Sequence, residues 1–323
     1  MTFDDVMVSL KGDLAQVETE ILRHLHTEIP LLNELAQYIF DSGGKRLRPA
    51  ILVLASRMFT APGAAAHQAA ASLEYLHTAT LLHDDVVDDA AERRSKVAAR
   101  MVWGNAASVL VGDYLLATSF STLTELGNLD VLATVSETTS MMAKGEILQL
   151  IRRFDTATEQ DYMAIIIHKT ACLFAAAAKV GGAFGGANTA QQKALYEYGN
   201  ALGIAFQMVD DALDYASERA RVGKPLGTDL KEKKLTLPLS RLLDVAPPEE
   251  KAQVVAILEQ DAITDENVKT VVEMMESHQV PAYTVGEAKR WAQKAVEALA
   301  SLPDGLEKDQ LDLVARFVVD RDF

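Results

Sequence analysis

Residues 81–88 read Leu-Leu-His-Asp-Asp-Val-Val-Asp, an apolar segment that ends in the pattern Asp-Asp-x-x-Asp. Residues 207–214, which read Gln-Met-Val-Asp-Asp-Ala-Leu-Asp, repeat that pattern in the second half of the chain. Because positions i and i+4 share one face of a helix, each pattern predicts two aspartates side by side at a helix end. Like charges at this spacing destabilise an isolated helix by about 0.2–0.5 kcal/mol, so both patterns indicate a cation that relieves the repulsion. We name the first aspartate cluster (Asp84, Asp85, Asp88) and the second aspartate cluster (Asp210, Asp211, Asp214).

The composition of these clusters favours a hard metal ion. Carboxylate oxygens, with few histidines and no cysteine nearby, suit Mg²⁺, which keeps waters and shares its coordination shell with substrate phosphates. One cluster alone is equally consistent with an acidic helix end that faces solvent. Two copies, each at the end of an apolar helical segment, favour the metal-site interpretation.

Cationic side chains accompany both clusters in an otherwise acidic chain. Arg93, Arg94 and Lys96 follow the first cluster, and a basic stretch from Lys224 to Lys234 follows the second. Residues 43–49, Gly-Gly-Lys-Arg-Leu-Arg-Pro, open a further predicted helix. Arginine binds phosphate through paired hydrogen bonds, and lysine binds it as a point charge. The basic part of residues 43–49 alone could be a solvated turn, but with both clusters present it predicts a site for diphosphates bridged by metal.

The composition excludes several other classes of protein. The 323 residues are 49% hydrophobic and 24% charged, and the net charge of −15 disfavours general binding of nucleic acid or anionic membranes. The single cysteine, Cys172, excludes a disulfide framework and a cysteine zinc site. The N-terminal residues lack the pattern of a secretory signal, and no uninterrupted apolar run reaches about 18 residues. We therefore expect a soluble cytoplasmic protein with no nucleic-acid partner and no stable membrane insertion.

The pattern of apolar residues predicts an all-α fold. Helical i, i+3, i+4 spacing recurs between glycine and proline breaks, and strand-like alternation is rare. No linker or change of composition divides the chain, so we expect one domain over residues 1–323, with a C-terminal helical part from about residue 247, where Pro247 and Pro248 interrupt the pattern. The clearest predicted helices are Ala50–Phe59, Ala69–His83, Ser108–Leu126, Val131–Phe154 and Leu195–Tyr215.

The motifs, taken in order, resemble those of the trans-isoprenyl diphosphate synthase (polyprenyl synthetase) family, and most closely its octaprenyl-forming members. The resemblance runs from about Leu31 to Phe323, and no single motif is specific without the others. It implies a single large helical bundle of the isoprenoid synthase type around a central active-site cavity, about three Mg²⁺ ions and a homodimer. The motifs are residues 43–49, 77–88, 93–94, 104–113, Gly145-Glu146-x-x-Gln149, 169–171, Phe206-Gln207-x-x-Asp210-Asp211-x-x-Asp214 and 229–238.

The resemblance also implies a role for each matching residue. In this family, the substrates are isopentenyl diphosphate and an allylic diphosphate. The implied ligands of isopentenyl diphosphate are Lys45, Arg48, His77 and Arg94. The implied ligands of the allylic diphosphate are Arg93, Lys169, Thr170, Gln207, Lys224 and Lys234, of which Thr170 and Gln207 line the place where positive charge develops. The implied metal ligands are Asp84, Asp85, Asp88, Asp210 and Asp214, and Asp211 completes the catalytic set.

Product length is predicted from the helix before the first cluster. Ala79 and Thr80 precede Asp84 by about one turn, so the hydrocarbon tail of a bound diphosphate must pass them. Short-chain members of the family carry a large aromatic residue there, by resemblance. The small side chains predict an open tunnel and a long product. We expect this product to be octaprenyl diphosphate, made from farnesyl diphosphate and used for the side chain of a quinone. Ala79 could instead simply allow close helix packing, and Leu123 or Met141 are candidates for the tunnel floor.

Other functions stay open at this point. Within the family, a farnesyl, geranylgeranyl or solanesyl synthase is the alternative. The dipeptide His83-Asp84 also occurs in HD-type metallophosphohydrolases. A terpene cyclase would share the first cluster. A non-catalytic synthase subunit should lack at least one cluster.

Four departures from the family pattern predict stiffer loops with altered closure: Ala90-Ala91, Ser95, Val97 and Lys233, the last where glycine is usual.

Overall fold

The computed structural model describes residues 1–25, 27–41, 43–94, 96–151, 158–216 and 226–320. Helices dominate these residues, which confirms the all-α prediction. The elements are α1 (Phe3–Ser9), α2 (Lys11–Arg23), α3 (Pro30–Phe40), α4 (Leu47–Arg57), α5 (Ala64–Val87), β1 (Glu92–Arg93), β2 (Lys96–Val97), α6 (Ala99–Glu125), α7 (Leu129–Ile151), α8 (Glu159–Ile166), a π-helical turn (Ile167–Ala171), α9 (Cys172–Gly185), α10 (Thr189–Asp214), α11 (Thr228–Lys231), α12 (Leu237–Val245), α13 (Pro248–Leu258), α14 (Asp265–Ser277), α15 (Val280–Ala298), a 3₁₀ turn (Leu299–Ser301) and α16 (Leu306–Val319).

Each of the five clearest predicted helices lies on an observed helix, namely α4, α5, α6, α7 and α10. The end of the fourth prediction, residues 152–154, lies outside the described residues. Gly104 forms a kink inside α6, because its φ of 84° and ψ of 164° interrupt the helical geometry. The short antiparallel pair β1–β2 was not predicted, since two-residue strands are too short to show alternation.

The chain divides into two compact units. Unit 1 comprises Met1–Thr139, Ala176–Tyr196 and Ser301–Leu311. Within it, α5 packs along α2, α4 and α6. The alanine-rich sequence of α5 has high helix propensity and buries residues on every side, so the helix forms the core of the unit and carries the first cluster at its end.

Unit 2 comprises Ser140–Ala175, Glu197–Ala300 and Asp312–Phe323. Within it, α12 packs against α8, α14 and α15. A C-terminal apolar core surrounds α12, with Leu239, Leu242 and Val271 fully buried. The unit carries the second cluster, and the division predicted near residue 247 stays a prediction.

Two helical stretches of the described residues are long and apolar enough to cross a membrane by length and composition alone. They are residues 99–125 and 159–185, and 44% and 67% of their most apolar windows are buried within the protein. Core helices of soluble proteins have the same character, because their apolar faces pack against neighbouring helices.

Candidate active site

The first aspartate cluster occupies the C-terminal end of α5. Asp84 and Asp85 lie in the last turn, and Asp88 is the C-cap, whose N–H donates to the Asp84 carbonyl at 2.8 Å. In α5, every residue of which is described, the last turn holds no basic side chain. The C-terminal end of a helix carries partial negative charge, which disfavours each nearby carboxylate by about 0.3–1 kcal/mol. The helix dipole and the mutual repulsion of the carboxylates therefore both favour a cation here.

Asp85 differs from Asp84 and Asp88 because its side chain is buried. Arg93 Nε donates to Asp85 Oδ1 at 2.7 Å, and the Asp85 side chain is 1% exposed. Burial raises the pKa of Asp85, and the charge of Arg93 opposes that shift. Asp85 therefore anchors Arg93, whereas Asp84 and Asp88 are partly exposed to solvent.

The basic residues at the start of α4 differ in exposure. Arg46, with a left-handed φ of 47°, donates to Glu18 Oε1 at 2.7 Å and to the buried Glu74 Oε2 at 2.9 Å. Lys45 is exposed and Arg48 is partly exposed. Arg46, which the resemblance did not include among the substrate ligands, is thus a structural cation.

Arg94 lies against the loop before α4. It follows β1 with a left-handed φ of 52°, and its guanidinium donates to the Gly43 carbonyl. A Cβ atom at Gly44 would lie 3.2 Å from Arg94 Nη1, so glycine leaves room for the guanidinium. Non-glycine residues in this region of φ cost about 1–3 kcal/mol and are concentrated at functional sites. The contact joins two segments that were both assigned to isopentenyl diphosphate.

His77 on α5 lies among arginines. Its pKa is well below the ordinary value, because of burial first and then because of the positive charges of Arg48, Arg94, Arg93 and Arg46. The imidazole is therefore neutral at pH 7 and can donate a hydrogen bond. Arg46 and Arg93 of this set pair with carboxylates, and the concentration of arginines in a chain of net charge −15 indicates a local site for an anion.

The depressed pKa of His77 predicts how stability depends on pH. Below about pH 6.5, His77 gains a proton in the unfolded chain but not in the folded protein. The contribution of His77 to the free energy of unfolding is therefore complete above pH 6.5 and is lost as the pH falls. This group alone should lower the free energy of unfolding by about 1.4 kcal/mol per pH unit below that point. Urea unfolding at several pH values should show that stability depends less steeply on pH for His77→Gln than for wild type. Equal slopes for wild type and His77→Gln would contradict the environment described.

Ala79 and Thr80 differ in their surroundings on α5. Ala79 is 1% exposed, whereas Thr80 is partly exposed and donates its hydroxyl proton to the His77 carbonyl at 2.8 Å. Thr80 lies four residues before Asp84 and so shares its helix face. The lining of a product tunnel by either residue stays a prediction, as does a floor at Leu123.

The second aspartate cluster ends α10 within unit 2. Asp210 is exposed, whereas Asp211 and Asp214 are only 4% and 5% exposed. Asp214 Oδ2 accepts the N–H of Asp229 at 2.9 Å. Burial, followed by the charges of Asp214 and Asp211, raises the pKa of Asp229 well above its ordinary value, and Lys234 opposes that shift. Several carboxylates therefore share one buried region, at the helix end where the dipole also disfavours them.

A chain of hydrogen bonds connects Asp211 with the π-helical turn. Tyr162 Oη donates to Asp211 Oδ2 and Gln207 Nε2 donates to Asp211 Oδ1, each at 2.7 Å. Thr170 Oγ1 donates to Gln207 Oε1 at 2.9 Å. Burial raises the pKa of Asp211 to about 7, and the hydrogen bonds from Gln207 and Tyr162 oppose that shift. The structure thus brings three predicted site residues together and adds Tyr162, which the sequence does not distinguish from an ordinary core tyrosine.

The π-helical turn also positions Lys169. Its Nζ contacts both carboxylate oxygens of Glu146, at 2.7 and 2.8 Å. A Cβ atom at Gly145 would lie 2.6 Å from the Lys169 backbone nitrogen, so only glycine permits this approach of α7 to the turn. Single π-helical turns occur mostly at functional sites. Glu146 belongs to a recognised motif, but its ion pair with Lys169 is visible only in the structure.

The loop after the second cluster is described in part. Lys224 lies outside the described residues, as does Ser95 in the first unit. Lys234 contacts Glu232 at 2.5 Å. Lys233 adopts a left-handed φ of 56°, and its Nζ donates to the Gln260 carbonyl at 2.6 Å. Glycine would take this backbone geometry without strain, whereas lysine adopts it at a cost.

The donor set of each cluster fits a hard divalent cation. Among the described residues, no three histidine, cysteine, aspartate or glutamate side chains form a complete metal cage. Mg²⁺ needs no such cage, because it is held by one or two carboxylates together with water and substrate phosphates. Asp84 and Asp88 can supply these carboxylates in unit 1, and the exposed Asp210 can do so in unit 2.

Comparison with known proteins gives a consistent result. A family model described as Polyprenyl synthetase matches residues 29–275. The chain is 42% identical to octaprenyl diphosphate synthase of Escherichia coli (strain K12) over 311 residues, 96% of each chain. Its fold is similar to a decaprenyl diphosphate synthase from Rhodobacter capsulatus (TM-score 0.93, 40% identity, 99% of both chains). It is equally similar to a polyprenyl synthase from Caulobacter crescentus CB15 complexed with calcium and isoprenyl diphosphate (TM-score 0.93, 37% identity, 99% and 98% coverage).

Proposed function

Because the chain belongs to the polyprenyl synthetase family, we propose that it extends farnesyl diphosphate with successive isopentenyl diphosphate units to all-trans octaprenyl diphosphate. It is a long-chain polyprenyl diphosphate synthase, that is, a prenyltransferase. Similarity to an octaprenyl synthase supports the proposed product, and similarity to a decaprenyl synthase makes a longer chain the second candidate. The observation that carries the chemistry is the pair of aspartate clusters, each at the negative end of a helix.

In the proposed reaction, cationic side chains bind the diphosphates. Lys45, Arg48 and Arg94 bind isopentenyl diphosphate, and the neutral His77 donates a hydrogen bond to it. The allylic diphosphate binds to a second set of cationic side chains. The first and second aspartate clusters would hold magnesium. Magnesium, when bound, stabilises the negative charge on the departing diphosphate. The remaining ligands of the allylic diphosphate are Arg93, Lys169, Lys224 and Lys234.

The bond changes need no protein nucleophile. The allylic C–O bond breaks and its electron pair leaves with the diphosphate. The double bond of isopentenyl diphosphate supplies the pair for the new C–C bond, and a proton is then lost to the released diphosphate. Thr170 and Gln207 carry oxygen atoms that stabilise the allylic cation electrostatically without trapping it. Water must be excluded because it would capture the cation.

A single incubation tests the proposed function. Purified protein is incubated with Mg²⁺, farnesyl diphosphate and labelled isopentenyl diphosphate, and the dephosphorylated products are separated by chain length. We expect octaprenol as the main product without any added partner protein. Phosphate release without elongation would indicate a hydrolase, a hydrocarbon would indicate a cyclase, and no product without a second protein would indicate a non-catalytic subunit.

We propose a cytoplasmic homodimer that forms through α6. Three apolar side chains of this helix are exposed: Val102 by 51% before the Gly104 kink, and the neighbours Val109 and Leu110 by 37% and 66% after it. Such an exposed apolar surface fits a second copy of the chain. Light scattering should give about twice the 35.1 kDa mass of one chain, and Leu110→Glu should shift it toward the monomer. A monomeric wild-type protein would contradict the proposal.

The two neighbouring arginines should respond differently to substitution. Arg94→Ala should raise the KM for isopentenyl diphosphate about ten- to a hundredfold, since a charge-assisted contact is worth about 1.5–3 kcal/mol. Arg93→Ala should instead weaken the binding of the allylic diphosphate. It should also lower the melting temperature, because it leaves the buried Asp85 carboxylate without its cation. Steady-state kinetics and thermal unfolding measure both effects. A rise in the KM of the same substrate alone for both variants would disprove the division of roles.

A further inference from the structure

Tyr162 on α8 is fully buried, and its hydroxyl faces a carboxylate. The residue is 0% exposed, and Oη donates to Asp211 Oδ2 at 2.7 Å. Burial, followed by the charge of Asp211, raises the pKa of Tyr162 well above its ordinary value, so the phenol keeps its proton and stays a donor. The proposed reaction gives this residue no contact with either substrate.

The hydrogen bonds of Asp211 fix the orientation of the Gln207 amide. The NH₂ group of Gln207 faces Asp211 Oδ1, to which Nε2 donates at 2.7 Å. Its carbonyl oxygen then faces the hydroxyl of Thr170, which must be the donor. Tyr162 occupies the second carboxylate oxygen and thereby holds the carboxylate in the orientation that Gln207 needs.

Thr170 uses its hydroxyl proton differently from other helical threonines in the protein. Thr118, Thr122 and Thr134 each donate to the backbone carbonyl four residues earlier, at 2.8–2.9 Å. Thr170, in the π-helical turn, donates across to Gln207 on another helix. A hydroxyl has one proton, so this bond leaves the lone pairs of Thr170 Oγ1 as acceptors.

We propose that Tyr162 is a positioning residue for prenyl transfer: through Asp211 and Gln207 it holds the Thr170 hydroxyl in the orientation that offers its lone pairs to the allylic cation. The inference rests on the proposed function. Without the Tyr162 hydroxyl, the Asp211 side chain loses one of its two donors and can rotate away from Gln207, whose amide can then turn its NH₂ group toward Thr170. Thr170 would then accept from Gln207, and one oxygen dipole would no longer face the developing charge.

The first test separates binding from chemistry. Tyr162→Phe, which removes only the hydroxyl, should lower kcat about tenfold while both KM values stay within about twofold, because the lost interaction acts mainly in the transition state. Tyr75→Phe is the matched control. Tyr75 is also fully buried, and its hydroxyl donates to the backbone carbonyls of Glu20 and Ile21. It should lose stability without a change in kcat.

The second test is a double-mutant cycle. Thr170→Val alone should lower kcat at least as much as Tyr162→Phe, and adding Tyr162→Phe to Thr170→Val should cause no further loss. Additive losses, or an unchanged kcat for Tyr162→Phe, would overturn the inference. If Tyr162→Phe does not fold, Gln207→Met and Thr170→Val must show the same non-additivity. If the variants contradict the role of Tyr162 while the wild-type protein still elongates its substrate, the proposed function stands. If the wild-type protein does not elongate its substrate, the proposed function itself is overturned.

Discussion

Asp84→Ala and Asp210→Ala should each lower turnover by at least about a thousandfold while the protein stays folded. Each variant loses a carboxylate that we propose as a magnesium ligand at the leaving diphosphate, where charge stabilisation matters most. Folding should survive because each removed carboxylate repels its neighbours and lies at the negative end of a helix. The measurements are kcat with saturating substrates and thermal unfolding by circular dichroism.

Asp89 provides a matched control beside the first cluster. It follows Asp88 directly, is 86% exposed on its side chain and pairs with Arg100 rather than with the cluster. Its φ is 52°, and asparagine tolerates this left-handed backbone while keeping the shape of the side chain. Asp89→Asn should keep kcat within about threefold, the effect of an exposed ion pair. Near-normal elongation by both Asp84→Ala and Asp210→Ala would disprove the metal assignment.

The fold was predictable because helical periodicity is a local property. Apolar residues at i, i+3 and i+4 report a buried helix face wherever they occur, and α4, α5, α6, α7 and α10 follow that pattern. The repeated aspartate pattern was predictable for the same reason, since four-residue spacing fixes a shared face. Family membership also followed from the sequence, because several weak motifs in one order are together specific.

The partners of the site residues could not be predicted, because they depend on packing between distant segments. Arg46 lies in a basic motif at the start of α4, and its ion pair with the buried Glu74 spans 28 residues of sequence. Glu146 and Tyr162 meet their partners across 23 and 49 residues of sequence. The π-helical turn that carries Thr170 has no sequence signature comparable to that of an ordinary helix.

Ala79→Tyr should convert a long-chain synthase into one that stops at about 20 carbons when it starts from farnesyl diphosphate, because position 79 lies only about 7.5 Å along the helix from Asp84. The first condensation should survive, since only the path of the growing tail is blocked. The tail of a substrate held at Asp84 and Asp88 must pass this turn of α5. Chromatography of dephosphorylated products from wild type and variant measures the change.

The burial of Ala79 makes the control essential. Because Ala79 is only 1% exposed, a tyrosine at this position must either enter an open tunnel or displace packed neighbours. Displacing packed neighbours costs about 1–3 kcal/mol of stability. Ala71, also 1% exposed on α5 but about two turns farther from the cluster, should lose stability on conversion to tyrosine without shortening the product. Thr80→Tyr tests the residue on the face of Asp84 and should also shorten the product. An active Ala79→Tyr with an unchanged product distribution would show that Ala79 serves helix packing, and a shortened product from Thr80→Tyr alone would place the tunnel on the Thr80 face.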